Sequence, residues 1–203
     1  RVRSMPPPAK SIPARRDSRS NKVGTYVALL RGINVGGKNK LPMPDLAEMF
    51  TEAGCTDART YIQSGNVVFS AAPGLAKRLP DLVSQRIADR FAYRVPLVLR
   101  TADEFRLVAT SNPFLESDSN VDSLHVGFLA DLPAPRDVAA LDPKRSPGDS
   151  FKVRGREVYL CLPNGVAKSK LTNVYFDSKL ATTSTFRNWR TVLKLLEMMQ
   201  AKT

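Results

Sequence analysis

The chain has 203 residues, 42% hydrophobic and 25% charged, with a formal net charge of +12 at neutral pH. That composition fits a globular protein able to bury a sizeable core and excludes fibrous and low-complexity classes. No apolar run approaches the ~18 residues of a membrane-spanning helix, and the basic start lacks the apolar core of a signal peptide, so the expected setting is cytoplasmic with no membrane partner.

Half of the excess charge lies in residues 1–22, where seven basic residues stand against Asp17 alone. This Pro-, Ser- and Arg-rich stretch has almost nothing to bury and is expected to be a disordered basic tail. A first subdomain is expected over 23–100. "TYVALLR" has the residues of a strand, and "MPDLAEMFTEAG" sets Leu46, Met49, Phe50 and Ala53 at helical spacing, with Pro44 in the first turn and Gly54 as the stop. "ARTYIQ" and "NVVFS" form a hairpin through Ser64-Gly65. "LAKRLPDLVSQRIADRF" is amphipathic, with a kink or restart expected at Pro80, and the strand "VPLVLR" completes a βαββαβ order.

A comparable series is expected over 101–203. "TADEFRLVAT" opens with a capping box, Thr101 and Glu104. "SLHVGFLA" is a strand, "PRDVAALD" a short helix and "FKVRGREVYLCL" a hairpin turning at Arg154-Gly155. "TFRNWRTVLKLLEMM" reads as a closing helix with Trp189, Val192, Leu193 and Leu196 on one face. The fold expected is α+β: two ferredoxin-like subdomains sharing a core, with antiparallel or mixed sheets and helices packed on them.

The segment "GINVGGKN" after the first strand lies one residue from the phosphate-binding signature G-x-x-x-x-G-K-[ST]. Asn39 occupies the hydroxyl position, and Pro42 and Pro44 follow where a helix would need interior amides, so a true P-loop is not expected. Other chemistry is equally constrained. His125 is the sole histidine, Cys55 and Cys161 make no C-x-x-C pair, and no paired carboxylates or G-x-S-x-G elbow occur, so neither a metal nor a cofactor is expected.

"YVALLRGINVGGKNKLPM", "YIQSGNVVF", "NPF", "HVGFL", "LPNG", "SKLTN" and "RNWRTVLKLLEM" together resemble the domain of unknown function 1697 family of bacterial proteins, over about residues 24–200. The resemblance implies two ferredoxin-like units and supplies no reaction. Pro80 and the basic tail depart from the family's pattern.

What stands out chemically is a cationic, amide-rich set: Arg31, Asn34, Lys38, Asn39, Ser64, Asn66, Lys170, Arg187 and Asn188, with Asp177 as the single nearby acid in sequence. Lysines supply point charges, arginine grips two oxygens, and glycines let amides approach, so the set suits a small phosphate-bearing anion. The other readings are solvated lysines with turn-capping asparagines, a nucleic-acid-binding module, and a protein-interaction scaffold. Against the nucleic-acid reading, "NVVFS" lacks the aromatic pattern that stacks bases in ferredoxin-like RNA-binding domains.

Overall fold

The computed structural model describes residues 22–115 and 120–201, so the expected tail over 1–22 lies outside the described residues apart from Lys22. Eight strands alternate with six α-helices among them: β1 (Gly24–Leu30), α1 (Met43–Glu52), β2 (Thr56–Tyr61), β3 (Asn66–Ala71), α2 (Pro73–Phe91), β4 (Leu97–Thr101), α3 (Ala102–Thr110), β5 (Leu124–Leu129), α4 (Pro135–Ala139), β6 (Ser150–Arg154), β7 (Glu157–Cys161), α5 (Asn173–Leu180), β8 (Ser184–Asn188) and α6 (Trp189–Gln200). The order βαββαβα occurs twice.

Each half builds one four-stranded antiparallel sheet, β2-β3-β1-β4 and β6-β7-β5-β8, the same order and the ferredoxin-like one. The registers superpose as well. Leu29 faces Asn66 and Val98 in the first sheet, and Phe128 faces Glu157 and Thr185 in the second.

Side chains alternate across each strand, so each sheet must be covered on both faces. The outer face of the first sheet (Tyr26, Ala28, Leu30, Val67, Phe69) packs on α1 and α2. The outer face of the second (Leu129, Val158, Leu160) packs on Tyr175, Phe176 and Leu180 of α5. Both inner faces, through Val27, Leu29, Val68, Val126, Phe128 and Tyr159, close over α3 and α6. The shared core is therefore a layer of two helices between two sheets.

Three local expectations change. α2 runs unbroken through Pro80, whose missing N–H falls on the partly buried side of a helix already held by Ala76, Leu79, Val83 and Ile87. "TFRN" is strand β8, and α6 begins only at Trp189, because Asn188 caps it by accepting from the Thr191 amide at 2.8 Å. The buried stripe of α6 is Trp189, Val192, Leu195 and Met199, while Leu193 is exposed. No described helix is long and apolar enough to cross a membrane.

Candidate anion-binding site and the buried arginine clasps

The chain leaves β1 at Arg31, whose amide donates to the carbonyl of Pro96 at 3.1 Å, and does not enter a helix until Met43. Between them it folds back on itself as a short finger. Val35 and Lys38 form an antiparallel bridge, closed by Gly36 and Gly37 at φ 57° and 76°. Two consecutive positive φ values define the tight hairpin turn that glycine favours.

Asn34 holds the base in a left-handed conformation, φ 54°, by donating to the carbonyls of Leu41 and Gln63, each at 2.9 Å, and accepting from the Leu41 amide at 2.8 Å. Asn39, φ 49°, donates to the carbonyl of Gly32 at 2.9 Å. Ile33 is buried beneath and packs where a side chain on Gly65 would stand, 2.8 Å from an added Cβ. The tip stays in solvent, with Val35, Lys38 and Lys40 exposed. This geometry has no helix N-terminus after Lys38, so it is not a P-loop.

The remaining expected site residues lie below and beside the finger. Arg31, partly exposed, forms an ion pair with Asp177 of α5, and Asp177 also accepts from the amide and hydroxyl of Ser184 at 2.8 and 2.6 Å. Ser64 Oγ accepts from the amide of Asn66, which is fully buried and also donates to the carbonyl of Tyr61 at 3.0 Å. Lys170 is exposed, in the segment leading to α5, and its backbone amide donates to Ser146 Oγ at 3.0 Å. Asn188 is the cap of α6.

Arg187 is buried. Its Nε donates to Asn66 Oδ1 at 2.5 Å, Nη1 to Thr185 Oγ1 and the Phe186 carbonyl at 2.8 Å each, and Nη2 to the carbonyls of Leu30, Ser64 and Gly65 at 2.7, 3.1 and 3.3 Å. Every N–H of the guanidinium is thus directed at protein oxygen. Burial pushes its pKa down to about 10, still protonated at neutral pH.

The duplicated fold contains the same device once more. Arg100 holds in β4 the position of Arg187 in β8, one residue before the helix cap. Its Nε donates to Glu157 at 2.8 Å, Nη1 to the Leu99 carbonyl at 2.8 Å, and Nη2 to the carbonyls of Leu129 and Arg156 at 2.8 and 3.0 Å. Each arginine reaches out of the last strand of its own half and ties down the end of the first strand and the hairpin of the other. Burial lowers the Arg100 pKa while Glu157 raises it. Sequence reasoning missed Arg100, Glu157 and the ion pair of Asp177. A signal existed: "LRTA" and "FRNW" both carry Arg directly before a capping residue at a strand-to-helix junction.

Other chemistry is sparse. His125 is half-buried with Nδ1 3.2 Å from the Ser123 carbonyl, and burial lowers its pKa against that carbonyl's pull. Among the described residues no group of three His, Cys, Asp or Glu side chains could hold a metal. Four cavities of about 270 to 390 Å³ are lined by other residues than the nine expected ones.

The sequence profile of the family described as a protein of unknown function, DUF1697, matches residues 23–159, more than half of the chain. The chain belongs to the DUF1697 family. Among solved structures this DUF1697 protein is similar to one titled "The structure of conserved bacterial protein SP0830 from Streptococcus pneumoniae", with 22% identity and a TM-score of 0.64 over 88% of this chain and all of that one. No curated protein matches it. At that identity the likeness concerns the fold, and the two α+β halves described above agree with it.

Proposed function

We propose that this DUF1697 protein is a cytoplasmic binding protein for a small phosphate-bearing anion, captured by Lys38 and Lys40 of the finger together with Lys170. The observation that carries the reading is the construction of the finger. Two asparagines are held at positive φ by a hydrogen-bond set that anchors the base of an exposed, lysine-bearing tip to Leu41, Gln63 and Gly32. Such local strain is typical of recognition loops.

The Arg31–Asp177 pair supports the involvement of Lys170. It ties the start of the finger to α5, and Asp177 is about 6 Å of helix rise from Asn173. Lys170 lies three residues before that helix, within roughly 10 Å more of chain. Asn34, Ser64, Asn66 and Arg187 take the role of a rigid floor. The cytoplasmic setting is supported by Cys55, a thiol buried in the outer core of the first sheet.

Titration with pyrophosphate and with inorganic phosphate, followed by amide NMR shifts of the full chain, tests the reading. A charge-assisted contact is worth about 1.5–3 kcal/mol, so Lys38→Ala and Lys170→Ala should each weaken binding roughly tenfold or more while the melting temperature stays put. Wild-type affinity in both variants, or no saturable response in the wild type, rejects it.

A further inference from the structure

The two halves place one strand each at the free edge of their sheet, β2 in the first and β6 in the second. The outer strands at the opposite edges, β4 and β8, carry Arg100 and Arg187 into the junction. An exposed edge is a template for another strand unless it is blunted.

β2 is blunted. Asp57 sits at φ 53°, the register with β3 shifts between Thr56 and Arg59, and Arg59 turns inward to donate to the Met198 carbonyl of α6 at 2.8 Å. β6 has no such device. It is a regular five-residue strand, "SFKVR", paired without a shift to β7.

Its open hydrogen-bonding groups follow from the hairpin. The turn has two residues, Gly155 and Arg156, so Arg154 and Glu157 form a hydrogen-bonded pair, and so do Lys152 with Tyr159 and Ser150 with Cys161. The N–H and C=O groups of Phe151 and Val153 therefore point away from β7. No strand among the described residues takes them.

We propose that β6 accepts an added antiparallel strand from a partner protein, and that this strand alternates acidic and apolar residues. The register and charges choose the occupant. Phe151 and Val153 lie on the outer face, packed against the core of the second sheet, so the incoming residues beside them must be apolar. Lys152 and Arg154, both exposed, lie on the other face, so the residues facing them must be acidic. A second copy of this chain is a poor occupant. Antiparallel pairing of two β6 strands through Phe151 and Val153 sets Lys152 directly opposite its counterpart, where like charges repel.

The test uses the full chain and a fluorescein-labelled, end-capped peptide containing Val-Glu-Val-Glu, read by anisotropy at low salt. The wild type should bind saturably. A peptide with Lys in place of Glu should bind about tenfold more weakly or not at all, the size expected when a favourable cross-strand charge pair becomes repulsive. Lys152→Glu leaves Arg154 as the single cation on that face and should erase the preference.

Val153→Pro removes one outward N–H and leaves the β6–β7 ladder intact, as edge strands tolerate, so it should abolish peptide binding while the melting temperature shifts little. Should that variant fold poorly, the loss of preference in Lys152→Glu decides alone. Equal binding of both peptides, unchanged preference in Lys152→Glu, or full binding by well-folded Val153→Pro overturns the proposal. A wild type that dimerises in sedimentation and becomes monomeric with Val153→Pro also overturns it, in favour of self-pairing.

Discussion

Arg100 and Arg187 occupy equivalent positions, and the oxygen that meets Nε is charged in one and neutral in the other. Arg100 Nε meets the carboxylate of Glu157, whereas Arg187 Nε meets the amide oxygen of Asn66. A buried cation without a carboxylate is ordinarily costly. Here four carbonyls, a hydroxyl and an amide oxygen come from both halves at once, so the guanidinium is solvated by protein oxygen in place of water. The reason for the difference lies in the hairpins. Asn66 must also donate to the Tyr61 carbonyl and Ser64 Oγ, which a carboxylate cannot do. Glu157 follows a two-residue turn closed by its backbone pairing with Arg154, which leaves its carboxylate to accept from Arg100.

Removing Arg187 tests the comparison most severely. Arg187→Met keeps the bulk and takes the guanidinium donors from Asn66 Oδ1 and the Ser64 carbonyl, and should cost roughly 3–5 kcal/mol, on the order of 10 °C in melting temperature for a chain this size. Asn66→Asp supplies the missing counter-charge yet loses both amide donors. Urea unfolding should therefore show a loss of about 1–3 kcal/mol, and a gain would show that charge outweighs hairpin bonding. Glu157→Gln makes the second clasp resemble the first and should cost about 1–2 kcal/mol, with the fold retained by circular dichroism.

A fourth prediction separates the halves by pH. Cys55 is buried in the outer core of the first sheet, and burial pushes its thiol up from 9.0 to about 11. The unfolded chain ionises near 9 while the native thiol keeps its proton to about 11, so stability falls as pH rises through that window. Cys55→Ala should lower stability at pH 8 and flatten the slope between pH 9 and 11 in denaturant titrations. The smallest effect belongs to Lys38→Ala, which should change stability by less than about 0.5 kcal/mol, because an exposed lysine at a turn tip packs on nothing.

Much of the architecture was legible because it is local. The sheet-forming residues of "TYVALL" and "HVGFL", the stripe Leu46, Met49, Phe50, and the Thr101–Glu104 capping box each follow from residues within a short window, and all form. The helix over Asn173–Leu180 escaped because its apolar residues, Val174, Tyr175 and Phe176 in a row and then Leu180, set no helical period, and β8 escaped because five residues ending in a cap read equally well as a helix start. In α6 the neighbours Leu193, Leu195 and Leu196 are chemically alike, and only the two sheets decide which faces inward. The site residues were chosen by chemical type, and type carries no depth. Arg187 and Lys170 are both cations in polar segments, but the partner that buries Arg187, Asn66, is 121 positions away in sequence.

The reciprocal clasps also set an order of events during synthesis. The oxygens of Leu30, Ser64 and Gly65 leave the ribosome long before their donor, which is made between 122 and 157 residues later. Closing such long intervals is slow compared with forming hairpins and helices. The first sheet can therefore zip its own ladder while the ends of β1 and β3 remain hydrated, and the nascent chain acquires its final rigidity only when the penultimate residue of its last strand arrives. A translation product that stops short of residue 187 would keep its hairpins and the Arg100 clasp but lack the Arg187 clasp and α6, leaving the inner face of each sheet open to proteases and chaperones.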